Sequence, residues 1–159
     1  MISTKPLKLV PAVLAIALLS AGLTSVPARD AAARNDVVTK SYGAPFDKVA
    51  TKLKRQITAH KLVIVKEVPY QQMVAMVGLK TDAARGFEIF HPRYGKVIFK
   101  KDPNAMIEVP LRIVLRKEGG KVLLQYRKPS ATFAPYPSLS GLGKELDTIF
   151  ADIVARVAK

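Results

Sequence analysis

Cysteine is absent from this 159-residue sequence. A chain without cysteine forms no disulfide, has no thiolate for nucleophilic catalysis and offers no thiol to which a lipid anchor could be attached. The first exclusion matters because the N-terminal residues predict export, and exported proteins commonly use disulfides. Residues 29–159, 131 in number, are enough for one domain to be stabilised by an apolar core alone.

Signature motifs of common enzymes are missing as well. The sequence has no Gly-x-Ser-x-Gly elbow, no phosphate-binding loop and no His-Glu-x-x-His zinc motif. Its two histidines, His60 and His91, lie on separate predicted elements, whereas a metal site needs three or four convergent donors. The sequence therefore predicts no metal and no cofactor, and it makes catalysis the less favoured function.

Residues 1–28 have the features of a cleaved signal peptide. Lys5 and Lys8 precede an apolar segment at residues 9–19, and the next charged residue is Arg29. Val26 and Ala28 are small residues at the positions that a signal peptidase reads. The apolar segment is shorter than the ~20 residues of a membrane-spanning helix. We expect a periplasmic or secreted protein, with an uncleaved anchor as the alternative.

Acidic residues are scarce relative to basic ones. The sequence has 26 Lys and Arg against 12 Asp and Glu. Residues 1–28 contain two of the basic residues and none of the acidic ones, so residues 29–159 keep 24 minus 12, a net charge of +12. This charge favours a small anion, an acidic partner or a membrane surface. Nucleic acid is not expected, because the aromatic residues are not interleaved with the cations in a stacking pattern.

Apolar residues recur at helical spacing in two segments. In residues 45–59 the pattern follows Pro45, a residue that the first turn of a helix tolerates well. The second segment keeps the i, i+3, i+4, i+7 spacing at Leu139, Leu142, Leu146, Ile149, Phe150, Ile153, Val154 and Val157. Both segments are predicted to be amphipathic helices, and the second should lie across a sheet.

Residues 69–79 are compatible with a short helix or a strand, and Gln, Met and Ala favour the helix. Met73 and Met76 in this segment have the spacing of a soft-ligand pair that could hold copper(I). Filling of an apolar core is the favoured interpretation, because apolar residues surround the two methionines and methionine packs into irregular cores.

Strands are predicted at residues 37–42, 61–68 and 86–91, and in two runs that flank Gly119 and Gly120. A pair of glycines can adopt the positive φ angles of a tight hairpin turn.

If Gly119 and Gly120 form the hairpin loop, Leu115 lies opposite Leu124 and Ile113 lies opposite Tyr126, on one apolar face. Arg112 and Arg127 then oppose each other on the second face, where like charges repel. An anion held between the two guanidinium groups would relieve the repulsion. The alternative is that both side chains point into water.

The stretch Phe-His-Pro-Arg-Tyr-Gly-Lys-Val-Ile-Phe-Lys-Lys-Asp-Pro at residues 90–103 is rich in cations. Pro92 ends strand pairing and Asp102 with Pro103 starts a turn, so these breakers predict an irregular surface loop with a helical turn. We expect His91, at the end of a strand, to be a positioning residue rather than a catalyst. The cations of this loop, which would face solvent or an anionic partner, are Arg93, Lys96, Lys100 and Lys101.

The order of these elements resembles the domain-of-unknown-function 302 family, which has the TT1751-like fold. The resemblance covers residues 36–157 and rests on Phe-Glu-Ile-Phe-His-Pro-Arg at 87–93, on the Asp-Pro and Val-Pro-Leu stretch at 102–115, and on the hairpin with its terminal helix. The sequence departs from the family pattern at Val68 with Pro69, and at Phe90 with His91. The resemblance implies an α+β domain in which an antiparallel sheet is backed by helices in two layers, and it implies no established activity.

These observations predict a signal peptide at residues 1–28, a flexible lead-in at 29–36 and a single α+β domain at 37–159. The predicted function is that of an exported, non-catalytic binding protein with a preference for an anionic ligand. The alternatives are a small exported enzyme with a site near His91, and a basic surface that binds membrane or an acidic polymer. A homodimer is compatible with the sequence. The candidate ligand-binding residues are His91, Arg93, Lys96, Lys100, Lys101, Arg112 and Arg127.

Overall fold

The computed structural model describes residues 36–158. The predicted signal peptide and residues 29–35 of the predicted lead-in lie outside the described residues. Within residues 36–158, no helix combines the length and the apolar character that crossing a membrane requires.

In the described part of the chain, five antiparallel strands form one sheet in the order β1-β5-β4-β3-β2. The strands are β1 (Val37–Tyr42), β2 (Val63–Val68), β3 (Ala84–Phe90), β4 (Leu111–Glu118) and β5 (Lys121–Arg127). The α-helices are α1 (Phe46–Ala59), α2 (Tyr70–Ala75), α3 (Pro92–Lys101), α4 (Pro129–Thr132) and α5 (Ser140–Val157). Two 3₁₀ turns follow α3 and α4, at Pro103–Glu108 and Pro137–Leu139.

The β4–β5 hairpin has the predicted turn and register. Gly119 and Gly120 have φ angles of 55° and 77°, a conformation that costs glycine little and other residues more. Leu115 pairs with Leu124, and Ile113 pairs with Tyr126. The sequence prediction for this hairpin is confirmed.

The main core lies between one face of the sheet and the helices α1 and α5. The buried side chains of the sheet include Phe87, Ile113, Leu115, Leu124 and Tyr126, which share one face by their register. Helix α1 contributes Val49, Leu53 and Ile57, and helix α5 contributes Phe150, Ile153, Val154 and Val157. The periodic apolar residues that predicted these two helices are therefore the residues that they bury.

Residues 92–101 form a helix, and the prediction of a surface loop here is wrong. Pro92 occupies the first helical position, and His91 caps the helix by accepting a hydrogen bond from the backbone N–H of Arg93. The breakers at the two ends of the stretch thus mark the ends of a helix. Tyr94, Val97 and Ile98 have the i, i+3, i+4 spacing of a buried face, a signal that the prediction gave too little weight.

Helix α3 covers a second apolar cluster beside the main core. Its buried members are Ile98, Ala105, Phe133, Leu139, Leu142 and Leu146. Gly95 lets α3 approach the sheet closely, because a Cβ there would lie 2.4 Å from Cζ of Phe90. The α3 segment is therefore an integral part of the fold.

The two methionines of α2 and the turn after it are solvent-exposed. Met73 is 52% exposed and Met76 is 86% exposed. Their predicted role in filling a core is therefore wrong, although the predicted helix is present. The helix holds no fully buried residue; its half-buried Tyr70 lies against Gly86 of β3.

Candidate functional site

The predicted site residues fall in two places. His91, Arg93, Lys96, Lys100 and Lys101 belong to α3 and its N-terminal cap. Arg112 and Arg127 lie on the face of the sheet opposite the main core. The two groups of residues do not form one site.

The His91 region is a set of structural contacts around one carboxylate. Nδ1 of His91 accepts the Arg93 backbone N–H at 3.0 Å, and the imidazole ring lies 5.3 Å from the ring of Tyr94. Glu145 on α5 accepts the Tyr94 hydroxyl at 3.2 Å and lies 3.4 Å from the Arg93 guanidinium. Burial, followed by the charge of Glu145, raises the pKa of Tyr94. Capping occupies Nδ1 of His91 and leaves Nε2 of the ring with no part in the cap.

Three lysines form the exposed side of α3. Lys96, Lys100 and Lys101 are exposed, and within residues 36–158 none of them lies within 4 Å of a carboxylate. Phe99, on the same helix, is 67% exposed. This group, Lys96, Phe99, Lys100 and Lys101, is termed the α3 cationic surface.

Arg112 and Arg127 each have a carboxylate of their own chain. Nη2 of Arg112 lies 2.9 Å from Oε1 of Glu88, and Nη1 of Arg127 lies 3.9 Å from Oδ2 of Asp36. Glu88 pairs with Arg112 across β3 and β4, a register that no local sequence pattern indicates. These carboxylates reduce the repulsion that an anion between the arginines was expected to relieve. A groove of about 540 Å³ runs past both arginines, and Glu108 lies in its lining.

A second groove, the β1–α5 groove, lies between the edge strand β1 and helix α5. Its volume is about 570 Å³. The floor is largely apolar and its side chains are small, because Ala151 and Ala155 of α5 and Ala158 just after it follow one another at i, i+4 and i+7. The lining residues are Val38, Lys40, Ser41, Tyr42, Tyr126, Lys128, Asp147, Ala151, Val154, Ala155 and Ala158.

The charged groups of the β1–α5 groove are two lysines and one carboxylate. Lys40 and Lys128 are exposed and lie beyond 4 Å of every carboxylate in the part of the chain that the structure describes. Asp147 accepts hydrogen bonds from Ser130, at 2.9 Å from the backbone N and at 2.5 Å from Oγ. Asp147 is therefore committed to holding α4, whereas the lysines can meet an anion.

Two tyrosines line the β1–α5 groove, and Tyr42 joins its two walls. The Tyr42 hydroxyl donates a hydrogen bond of 2.9 Å to the backbone carbonyl of Val154. Burial, with a smaller contribution from Tyr126, raises the pKa of Tyr42 to about 12. Burial also raises the pKa of Tyr126, with Asp147 as the second cause. Both phenols are therefore neutral at physiological pH, and the Tyr42 hydroxyl acts as a hydrogen-bond donor.

Sequence reasoning missed the β1–α5 groove. Of its charged residues, Lys40, Lys128 and Asp147, none was among the candidates, because scattered charges have no periodic pattern. The one local signal is the series Ala151, Ala155 and Ala158, which places small side chains on one flank of the predicted terminal helix.

Fold and site together define an α+β domain in which two long helices cover one face of a five-stranded antiparallel sheet, with a groove at the sheet edge. The model of the family described as Domain of unknown function DUF302 matches residues 37–158, and the chain belongs to this family. The crystal structure of an uncharacterized conserved DUF302 protein from Bacillus stearothermophilus has a similar fold, with a TM-score of 0.73. The two share 13% sequence identity over 77% of this chain and 98% of that chain. None of the curated proteins matches this chain.

Proposed function

We propose that this protein is an exported, non-catalytic binding protein whose ligand has an apolar part and an anionic group, held in the β1–α5 groove. The observation that supports this proposal most directly is the combination of an apolar groove of about 570 Å³ with two lysines at its rim that have no carboxylate partner among the described residues. Concave, largely apolar sites with a few charged groups are typical of ligand pockets.

The groove beside Arg112 and Arg127 offers less to an anion. Both arginines already face carboxylates, and Glu108 in the lining would repel a negative ligand. A ligand there would have to displace ion pairs, whereas a ligand that binds Lys40 and Lys128 would displace only water from them. The preference for an anion is therefore better supported at the lysines than at the predicted arginines.

Export is part of the proposal and rests on residues 1–28. A basic start, an apolar segment and small residues at positions 26 and 28 are the features that a signal peptidase recognises. N-terminal sequencing of the protein from its native host should give Arg29 as the first residue. A chain that began at Met1 would contradict cleavage.

Binding of decanoate, decanol and decyltrimethylammonium to the protein of residues 29–159 tests the groove. We expect decanoate to bind more tightly than the other two, and the double variant Lys40→Gln, Lys128→Gln to lose about tenfold in affinity, a difference of about 1.4 kcal/mol. Ala151→Trp should weaken all three probes, because the added ring would occupy the groove.

The matched control for the lysines is the double variant Lys96→Gln, Lys100→Gln, which removes the same charge from α3. It should leave decanoate affinity unchanged, since α3 does not line the groove. Equal losses in the two double variants would show a response to net charge only. Failure of wild-type protein to bind decanoate would count against the proposed function.

The α3 cationic surface favours a second candidate function, attachment to an anionic membrane surface. Unpaired lysines attract anionic lipid, and an exposed aromatic side chain beside them can enter the headgroup region. Sedimentation with vesicles of phosphatidylglycerol should be weakened by Lys96→Gln, Lys100→Gln, Lys101→Gln and by Phe99→Ala. The control Lys48→Gln, Lys52→Gln, Arg55→Gln removes equal charge from α1, and an equal effect there would argue against a specific α3 surface.

A further inference from the structure

Strand β1 lies at an edge of the sheet formed by residues 36–158, and its hydrogen-bonding groups can be assigned. The backbone N–H of Lys128 donates to the carbonyl of Asp36 at 2.8 Å. In an antiparallel ladder, residues that bond to the partner strand alternate along the chain. With Val37 opposite Arg127, the N–H and C=O groups of residues 38, 40 and 42 point to β5. Those of Val37, Thr39 and Ser41 therefore point away from the sheet.

The same alternation directs the side chains of β1. Four β1 residues, Val38, Lys40, Ser41 and Tyr42, line the β1–α5 groove, and the alternation directs the side chains of Val38, Lys40 and Tyr42 to its face of the sheet. Thr39 lies on the opposite face, where its Oγ1 accepts a hydrogen bond from Gln125 at 3.1 Å. An extended chain paired with β1 would continue this pattern, so every second side chain of that chain would point toward the groove.

We propose that the ligand of the β1–α5 groove is an extended peptide segment of another protein, which adds to β1 as a sixth strand. Its backbone would pair with Val37, Thr39 and Ser41, an apolar side chain would enter the groove, and a carboxylate would meet Lys40 and Lys128. Strand addition beside a helix uses main-chain hydrogen bonds for affinity and a pocket for alternate side chains. This inference rests on the proposed function and specifies the class of ligand.

The size of the site is consistent with a short peptide. Six residues of β1 at about 3.3 Å per residue span about 20 Å. A segment of five to seven residues would cover this length. Three of its residues would direct their N–H and C=O groups to β1 and bond to the three outward pairs of N–H and C=O groups there. A fatty acid would leave these groups to water.

Charge disfavours a second copy of the chain as the occupant. Lys40 is the one charged residue of β1, and residues 29–159 carry a net charge of +12. Pairing β1 with β1 of another copy would bring two Lys40 side chains together and two cationic domains into contact. An acidic peptide would instead be attracted electrostatically to the same edge.

The test begins with selection of displayed random heptapeptides on the protein of residues 29–159, with counter-selection on Ala151→Trp. Enriched peptides should contain an acidic residue and alternating apolar residues. N-methylation of the peptide residues whose N–H groups face β1 should weaken binding at least about tenfold, because each methyl removes a main-chain donor. Methylation of the intervening residues should have a smaller effect.

A variant of the strand gives a second, independent readout. Thr39→Pro removes one outward N–H and leaves the N–H groups that face β5, an arrangement that edge strands accept. Thr39→Val removes the side-chain hydroxyl and keeps the N–H. Loss of peptide binding in Thr39→Pro, together with retention in Thr39→Val, supports strand addition.

The possible results separate the two proposals. If no peptide is enriched while decanoate still binds the groove, strand addition is overturned and the proposed function stands. If neither peptide nor decanoate binds, both proposals are overturned. Peptides that tolerate N-methylation at every position would also overturn strand addition, as would self-association that shifts the amide resonances of Val37, Thr39 and Ser41.

Discussion

The hydroxyl of Tyr42 donates a hydrogen bond of 2.9 Å to the backbone carbonyl of Val154, 112 residues further along the chain. This contact joins the last residue of β1 to the last turns of α5 and so holds together the two walls of the β1–α5 groove. The hydrogen bond adds a polar link between the strand and the helix to the apolar packing that holds them together.

Tyr42→Phe should destabilise the protein by about 1 kcal/mol, the usual value of one hydrogen bond, and urea unfolding measures this loss. The pH dependence has a definite sign. Folding raises the pKa of Tyr42 from 10.0 to about 12. The contribution of the Tyr42 hydroxyl to folding stability is therefore fully present below pH 10 and is lost as the pH rises to 12. The variant should therefore lose less stability than the wild type across this window. Parallel curves for the two proteins would contradict the assignment.

Gly143 and Gly141 provide a matched pair within α5. A Cβ on Gly143 would lie 2.8 Å from the backbone Cα of Ser130, which Asp147 holds by two hydrogen bonds. Gly143→Ala should therefore cost about 1–3 kcal/mol, the range for overpacking. Gly141 has no atom within 4 Å of an added Cβ, so Gly141→Ala should be neutral or stabilise by up to about 1 kcal/mol. Thermal unfolding of both variants checks the prediction, and equal effects would be inconsistent with it.

Phe150→Ala should destabilise the protein by about 3–5 kcal/mol, as expected for truncating a large aromatic residue in a core. Phe150 is 1% exposed, and its ring lies 5.3 Å from the ring of Tyr126. Phe99→Ala is the control, because Phe99 is 67% exposed and should cost less than about 0.5 kcal/mol. A loss below about 1 kcal/mol for Phe150→Ala, measured by urea unfolding, would refute the role of this helix in the core.

Asp152 should contribute to the loss of stability in acid. Hydrogen bonds from His60 and then from Arg156 lower the pKa of Asp152 below 3.8. A carboxyl with a depressed pKa stabilises the fold above its unfolded value and loses this contribution as the pH falls through the folded value. Asp152→Asn should therefore lose less stability than the wild type as the pH falls below about 4. Urea midpoints from pH 2 to pH 7 give the comparison, and a steeper loss in the variant would be the opposite result.

The sequence by itself determined those parts of the fold that depend on local pattern. The glycine pair set the turn and hence the register of β4 and β5, because a two-residue loop leaves one pairing. The apolar spacing of residues 139–157 set the terminal helix, since burial of Phe150 and its neighbours requires that period.

Tertiary structure decided whether the segment between the chain breakers at residues 90–103 is a loop or a helix. His91, Pro92 and Asp102 are compatible with either outcome. Burial of Ile98 against Leu142 and Leu146, more than 40 residues away, favoured the helix. The partner of Arg112 was likewise decided by the β3–β4 register, which brings Glu88 beside it.

The candidate site depends on long-range contacts almost entirely. Lys40 and Lys128 became its cations, and Ala151 part of its floor, because β1 lies at the sheet edge and α5 passes beside it. No short-range pattern relates residues so far apart in the chain. Local periodicity therefore predicted the helices and strands, while the packing of distant apolar faces created the groove that they enclose.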